Sequence, residues 1–281
     1  MLLSNKYPFL TNYFTEIIKD KKNQLPHSIL FYGNDIESQY TLSKEIARLI
    51  NCTKDKSDNC DCLNCKWIKE DSHPAVVTIS RIDSKPEDDD SKTVISIKQS
   101  ALIKESLMTS SEFHRVFIFC DRDDDGNIAG LNPVNFQAET ANSLLKIIEE
   151  PQPGTTFIFL TRYIEDVLTT IVSRSQCFFV PSFDLPDKDF SKILGVFDNY
   201  WTYERKDIFD ISQKLQDLTK ELSTIQILEQ IQNHIVSVFK NNPQNMQLLE
   251  HIKEVEIAKS QAKLGIKPAN IFDSLCLKLI N

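Results

Sequence analysis

Four of the seven cysteines, Cys52, Cys60, Cys62 and Cys65, fall close together, and the first two are separated only by the polar run T-K-D-K-S-D-N. Thiols that merely pack in a core sit among apolar neighbours, and disulfides are unusual in the cytosol. Four thiolates at this spacing point instead to tetrahedral Zn²⁺ coordination. Four protein ligands leave no open position for a substrate, so the expected site is structural. The C-x-C pair Cys60/Cys62 is tighter than the usual C-x₂-C. Cys120, Cys177 and Cys276 lie in apolar runs and are expected to be core thiols.

A second stretch has the outline of a phosphate-binding loop without its chemistry. S-I-L-F-Y at 28–32 reads as a buried strand, and residues 41–51 read as a helix with Leu42, Ile46, Leu49 and Ile50 on one face. The loop between them should read G-x-x-x-x-G-K-[ST]. Its first glycine is Gly33, but Ser38, Gln39 and Tyr40 stand where the second glycine, the lysine and the small hydroxyl residue belong. Gln39 supplies no charge to phosphates, and Tyr40 is too bulky to hold Mg²⁺. The acidic pair expected after a later buried strand, residues 116–120, reads Cys120-Asp121, so its first acid is missing. No nucleotide hydrolysis is expected. In isolation, one glycine after a strand is an ordinary turn.

The elements around these residues follow from periodicity. Residues 8–19 form an amphipathic helix. Buried strands are expected at 28–32, 75–80, 116–120, 155–161 and 176–180, alternating with helices that include residues 141–150. That alternation predicts a parallel five-stranded sheet covered on both faces. Residues 121–133 read as a loop; its aspartates lack the spacing and terminal glutamate of a Ca²⁺ loop. The acidic run at 85–90 reads as a solvated loop, and His73 as a turn residue rather than a ligand. Beyond about residue 181 only helices are expected, at 187–197, 204–220, 224–240, 243–265 and 268–280, packed as a small bundle.

Composition narrows the function classes. The chain has 281 residues, 41% hydrophobic and 26% charged, with a net charge of −8. Such a balance suits a globular protein of two or three domains and opposes tight, independent binding to nucleic acid. No run of about 18 apolar residues predicts a membrane helix, and the first residues lack a signal-peptide pattern, so a cytoplasmic location is expected.

Several motifs together resemble one family. They are L-P-H-S-I-L-F-Y-G before the degenerate loop, the cysteine group after its helix, H-P-A-V-V-T-I, N-S-L-L-K-I-I-E-E-P and T-T-I-V-S-R-S-Q. The sequence resembles the delta-prime clamp-loader subunits of bacterial DNA polymerase III, which are AAA+ proteins. N-S-L-L-K-I-I-E-E-P, the most specific of them, is similar to the family's N-A-L-L-K-x-L-E-E-P. Ser175 departs from the family's S-R-C, the cysteine spacing is tighter, and the acidic loop at 121–137 is longer.

The resemblance implies an α/β AAA+ P-loop-type core over residues 1–180 with the zinc module inserted, and a sheet whose fourth strand lies beside the first. A helical lid over 181–222 and a helical collar over 223–281 would follow. It implies a component of a DNA polymerase holoenzyme with no catalytic activity of its own. Such a subunit helps load the sliding clamp onto primed DNA, beside gamma/tau and delta subunits. Arg174, in S-R-S, would be the arginine finger given in trans to a neighbour's ATP; on position alone it is an ordinary surface residue. Two other readings compete. A divergent gamma/tau-type ATPase would need a lysine at Gln39, and a zinc-binding adaptor unrelated to replication would leave the two long motifs unexplained.

Overall fold

The structure is a computed structural model describing residues 6–19, 25–83, 87, 93–123, 125–136, 138–183, 191–197, 200–242 and 244–280. The acidic run at 85–90, apart from Glu87, lies outside the described residues. The chain divides into two compact units, Met1–Val180 and Pro181–Asn281.

In the first unit, apolar runs rich in Phe and Ile are buried on both faces and form a parallel sheet. Its strands are β1 (Ser28–Tyr32), β2 (Val76–Ile79), β3 (Arg115–Phe119), β6 (Thr155–Thr161) and β7 (Gln176–Phe179), in the order β2-β3-β6-β1-β7. The fourth of these strands lies beside the first, as the resemblance implied, with Ser28 opposite Phe157 and Tyr32 opposite Thr161. Central β6 is buried along its whole length. Aromatic rings stack across adjacent strands, Phe119 on Phe159 at 4.7 Å and Phe117 on Phe157 at 5.5 Å. Helix α1 (Pro8–Lys19) precedes the first strand. Parallel neighbours need crossover connections, and helices lie in them: α2 (Ile36–Asn51), α3 (Leu63–Lys69), α4 (Ile97–Met108), α5 (Ala138–Glu149) and α6 (Thr169–Val172).

Two differences from the sequence reading bear on the site. First, α2 begins at Ile36 rather than at residue 41, because Asp35 caps it by accepting a hydrogen bond from the Ser38 N–H at 3.0 Å. Second, the stretch expected to be a plain loop contains a hairpin of β4 (Asp121–Arg122) and β5 (Ile128–Ala129), paired antiparallel. Its tip turns at Gly126, where φ is +85°, and Asp123 accepts from the backbone N–H groups of Asp125 and Asn127.

In the second unit the described elements are helical: α7 (Ser191–Phe197), α8 (Ile208–Leu218), α9 (Thr224–Asn241), α10 (Met246–Lys263) and α11 (Pro268–Leu279). Helix α10 packs on α9 and α11, and α8 packs on α11. Two buried polar pairs lie within this bundle: the Tyr200 hydroxyl lies 2.7 Å from His251 Nδ1, and Gln232 donates to Glu256 at 3.1 Å. No described helix is long and apolar enough to cross a membrane.

Candidate functional site

Cys52 closes the C-terminus of α2, Cys62 caps the N-terminus of α3, and Cys65 lies in the first turn of α3. Between them the chain doubles back through Lys56, whose φ is +58°, and the Cys60 N–H donates to the Ser57 carbonyl at 3.0 Å. This turn brings the four sulfurs within 4.8 Å of one another, all buried. Cys52 Sγ lies 3.5 Å from Cys60 Sγ and 3.9 Å from Cys62 Sγ. A disulfide would need about 2.05 Å. Four metal–sulfur bonds of about 2.3 Å give tetrahedral edges of about 3.8 Å. The donor set therefore fits a metal ion, and the sequence spacing, tight as it is, brings all four together. Burial opposes ionisation of Cys62, but N–H groups of Cys65 and Thr53 donate to its sulfur and hold its pKa down to about 6. Burial and the neighbouring Cys62 push the Cys65 thiol up. Four adjacent thiols cannot all lose their protons without a cation among them. His73 stays outside the cluster: its Nδ1 accepts from the Ala75 N–H, and its ring meets Trp67 and Phe113 edge-on.

The loop between β1 and α2 is occupied by the chain's own side chains. Gly33 has φ of +127°, and a Cβ there would lie 2.3 Å from the Val180 carbonyl oxygen. Two residues later, the Asp35 carboxylate sits on the N-terminus of α2, where an anion would bind. Lys6 pairs with it at 2.8 Å and the Tyr7 hydroxyl donates to it at 2.6 Å. Burial opposes its charge, but Lys6, Tyr7 and Ser38 together hold its pKa below the ordinary carboxylate value. Gln39, at the lysine position, is fully buried and turns inward: its Nε2 donates to the carbonyls of Gly33 at 2.9 Å and Thr161 at 3.0 Å. Tyr40 reaches the other way, its hydroxyl 3.1 Å from Thr78 Oγ1, and burial raises its pKa to about 12.

The acid that follows β3 is likewise engaged. Asp121 Oδ1 accepts from Arg81 Nε at 2.7 Å and from the Arg122 N–H at 2.8 Å, and its Oδ2 accepts from Asn135 Nδ2 at 3.0 Å. Past the hairpin, Gly130 and Leu131 lie against the end of β6. The Leu131 N–H donates to the Leu160 carbonyl at 2.8 Å, and Thr161 Oγ1 donates to the Leu131 carbonyl at 3.0 Å. A Cβ on Gly130 would meet both the Arg162 nitrogen and Ile36 Cδ1 at 3.0 Å. The hairpin segment thus runs against the first residue of α2.

Arg174 follows α6 and precedes β7. Its Nη2 meets Glu149 Oε1 at 2.5 Å, its Nε donates to the same oxygen at 2.8 Å, and its Nη1 donates to the Thr170 carbonyl at 2.9 Å. Glu149 is the first glutamate of the E-E-P motif, so the two signature motifs meet side by side. Ser175 points inward, its hydroxyl 2.7 Å from that of Ser28.

Asp35, Lys6 and Tyr7 escaped the sequence reading. For Asp35 a signal existed: an aspartate followed by a helical run is a capping pattern. For the others none did, because their roles depend on where separate segments meet.

A family model described as DNA polymerase III, delta subunit, matches residues 8–184. The DNA polymerase III subunit delta′ of Bacillus subtilis (strain 168) is 27% identical over 157 residues, 56% of this chain and 42% of that protein. The DNA polymerase III subunit gamma/tau of Mycoplasma genitalium is 27% identical over 161 residues, 56% of this chain and 24% of that protein. The chain spans less than half the length of either curated relative. A solved structure of a DNA polymerase III gamma subunit-related protein from Thermotoga maritima aligns with a TM-score of 0.39 at 15% identity, covering 96% of this chain and 99% of that one.

Proposed function

The chain belongs to the DNA polymerase III delta-subunit family, and from that premise we propose that it is a delta-prime-type clamp-loader subunit that does not hydrolyse ATP. The observation that carries this reading is the occupation of the nucleotide loop by the chain's own side chains. Asp35 takes the anion position at the N-terminus of α2, and Gln39 ties the loop to β6. A phosphate arriving there would meet a fixed carboxylate and no lysine. Each missing part normally stabilises charge in phosphoryl transfer. The same filled loop disfavours the gamma/tau-type ATPase reading.

The residue offered to a neighbour is Arg174. A guanidinium stays charged at any working pH and can pair two phosphate oxygens. In this reading it leaves Glu149 and meets the γ-phosphate of ATP held by an adjacent gamma/tau subunit. The four cysteines would hold Zn²⁺ as a structural metal, which supplies no chemistry to the reaction and closes a loop with few apolar residues of its own. Residues 181–222 would act as a lid and 223–281 as a collar that meets gamma/tau and delta subunits. The sliding clamp and primed DNA would then be reached through the assembly.

Two measurements test the reading. The isolated chain, mixed with ATP and Mg²⁺, should turn over nothing above background. Mixed with gamma/tau and delta subunits, it should enter one complex that loads a clamp, and omission of the chain should abolish loading. Turnover by the isolated chain that changes in Gln39→Ala, or full loading without it, would overturn the proposal.

A further inference from the structure

The cysteine cluster leaves one buried charge unexplained. Arg48 lies on α2 one turn before Cys52 and is only 4% exposed. Its Nε and Nη2 donate to the two oxygens of Glu45 at 2.7 and 2.6 Å. Its Nη1 donates to the Ser57 carbonyl at 2.8 Å and reaches Cys65 Sγ at 3.8 Å, and Nη2 lies 3.4 Å from the Lys56 carbonyl. One guanidinium therefore spans α2, the turn that folds Cys60 back, and a sulfur of the cluster. A divalent ion with four thiolates carries a net charge of about −2, and buried thiolates need hydrogen-bond donors such as this amino group.

We propose that Arg48 is a positioning residue for metal binding at the cysteine cluster, donating to the Cys65 thiolate while it fixes the Lys56–Ser57 turn. The inference rests on the metal-site reading. Glu45 holds the fork in place from behind, so that one amino group is left to face the sulfur and the Ser57 carbonyl. Such outer partners orient ligands and tune the metal, and their loss typically weakens binding about 10–100-fold.

The test uses the full chain loaded with Zn²⁺ or Co²⁺, as wild type, Arg48→Gln and Arg48→Lys. Wild type should bind one equivalent. Arg48→Gln should still reach one equivalent at saturation, but with affinity about 10–100-fold weaker in competition against a chelator. Its sulfur-to-cobalt charge-transfer band should move to lower energy, because a thiolate freed of its hydrogen bond is a better donor. Arg48→Lys, which keeps the charge but not the fork, should recover part of the affinity. The band position separates this role from mere support of the fold. Wild-type affinity with an unmoved band in Arg48→Gln would overturn the inference; should that variant not fold, wild-type values in Arg48→Lys would do so. A wild-type chain that takes up no metal would instead remove the metal-site reading beneath it.

Discussion

At the scale of single residues, the cysteine cluster is the most exposed to test. Cys62→Ser should lower the zinc content of the purified chain well below one equivalent, as read by elemental analysis, since three thiolates and a hydroxyl make a poorer site. The four cysteines were legible in sequence because ligands close in the chain announce themselves by spacing. Arg48 was not, because nothing local marks a helical arginine as the partner of a sulfur seventeen positions on. A pH dependence belongs here too. Burial lowers the pKa of His114 to about 4, and its Nε2 lies 2.8 Å from Thr156 Oγ1. Unfolded, it titrates near 6.5, so between these values the unfolded chain binds more protons than the folded one. Its contribution to stability is complete above about pH 6.5 and is lost as pH falls through about 4. The loss should reach about 3 kcal/mol. Urea midpoints at pH 7 and 4.5 should converge in His114→Gln relative to wild type; an equal drop in both would refute the assignment. Gly33→Ala, which combines a left-handed φ with a Cβ 2.3 Å from the Val180 oxygen, should cost about 2–4 kcal/mol in the same assay.

Among the elements, the five strands of the large sheet were readable because each is a continuous apolar run bounded by polar residues. The order of those strands was not readable from pattern; it came with the resemblance. The β4–β5 hairpin was missed because strands of two residues carry no periodicity, and its turn reads as any acidic loop. The early start of α2 was missed for another reason: the loop was read against a template whose helix begins later, and the Asp35 cap overrode it. Asp35→Ala should therefore cost about 1–2 kcal/mol, the usual loss of a capping side chain, and Asp35→Asn much less. Equal losses in the two variants would mean that the Lys6 pair, rather than the cap, carries the effect.

For the whole molecule, a compact sheet-based unit and a helical unit were legible from the disappearance of strand patterns after Val180. The first unit alone contains the cysteine cluster, the filled loop and Arg174. The division of the helical unit into a lid over 181–222 and a collar over 223–281 came with the resemblance rather than from pattern, and within that unit α8 packs on α11. The proposed function rests on a contrast within the first unit. The loop between β1 and α2 is occupied by Asp35 and Gln39, while Arg174 stands at the surface paired with Glu149. Surface ion pairs of this kind contribute little, about 1 kcal/mol or less, so breaking one to meet a phosphate costs little. The most direct measurement is clamp-stimulated ATP hydrolysis and clamp loading by a loader assembled with gamma/tau and delta subunits, with this chain as wild type or Arg174→Ala. The mutant complex should assemble normally and load clamps at least about tenfold more slowly, as loss of an arginine finger predicts. Wild-type rates in a normally assembled Arg174→Ala complex would contradict the account.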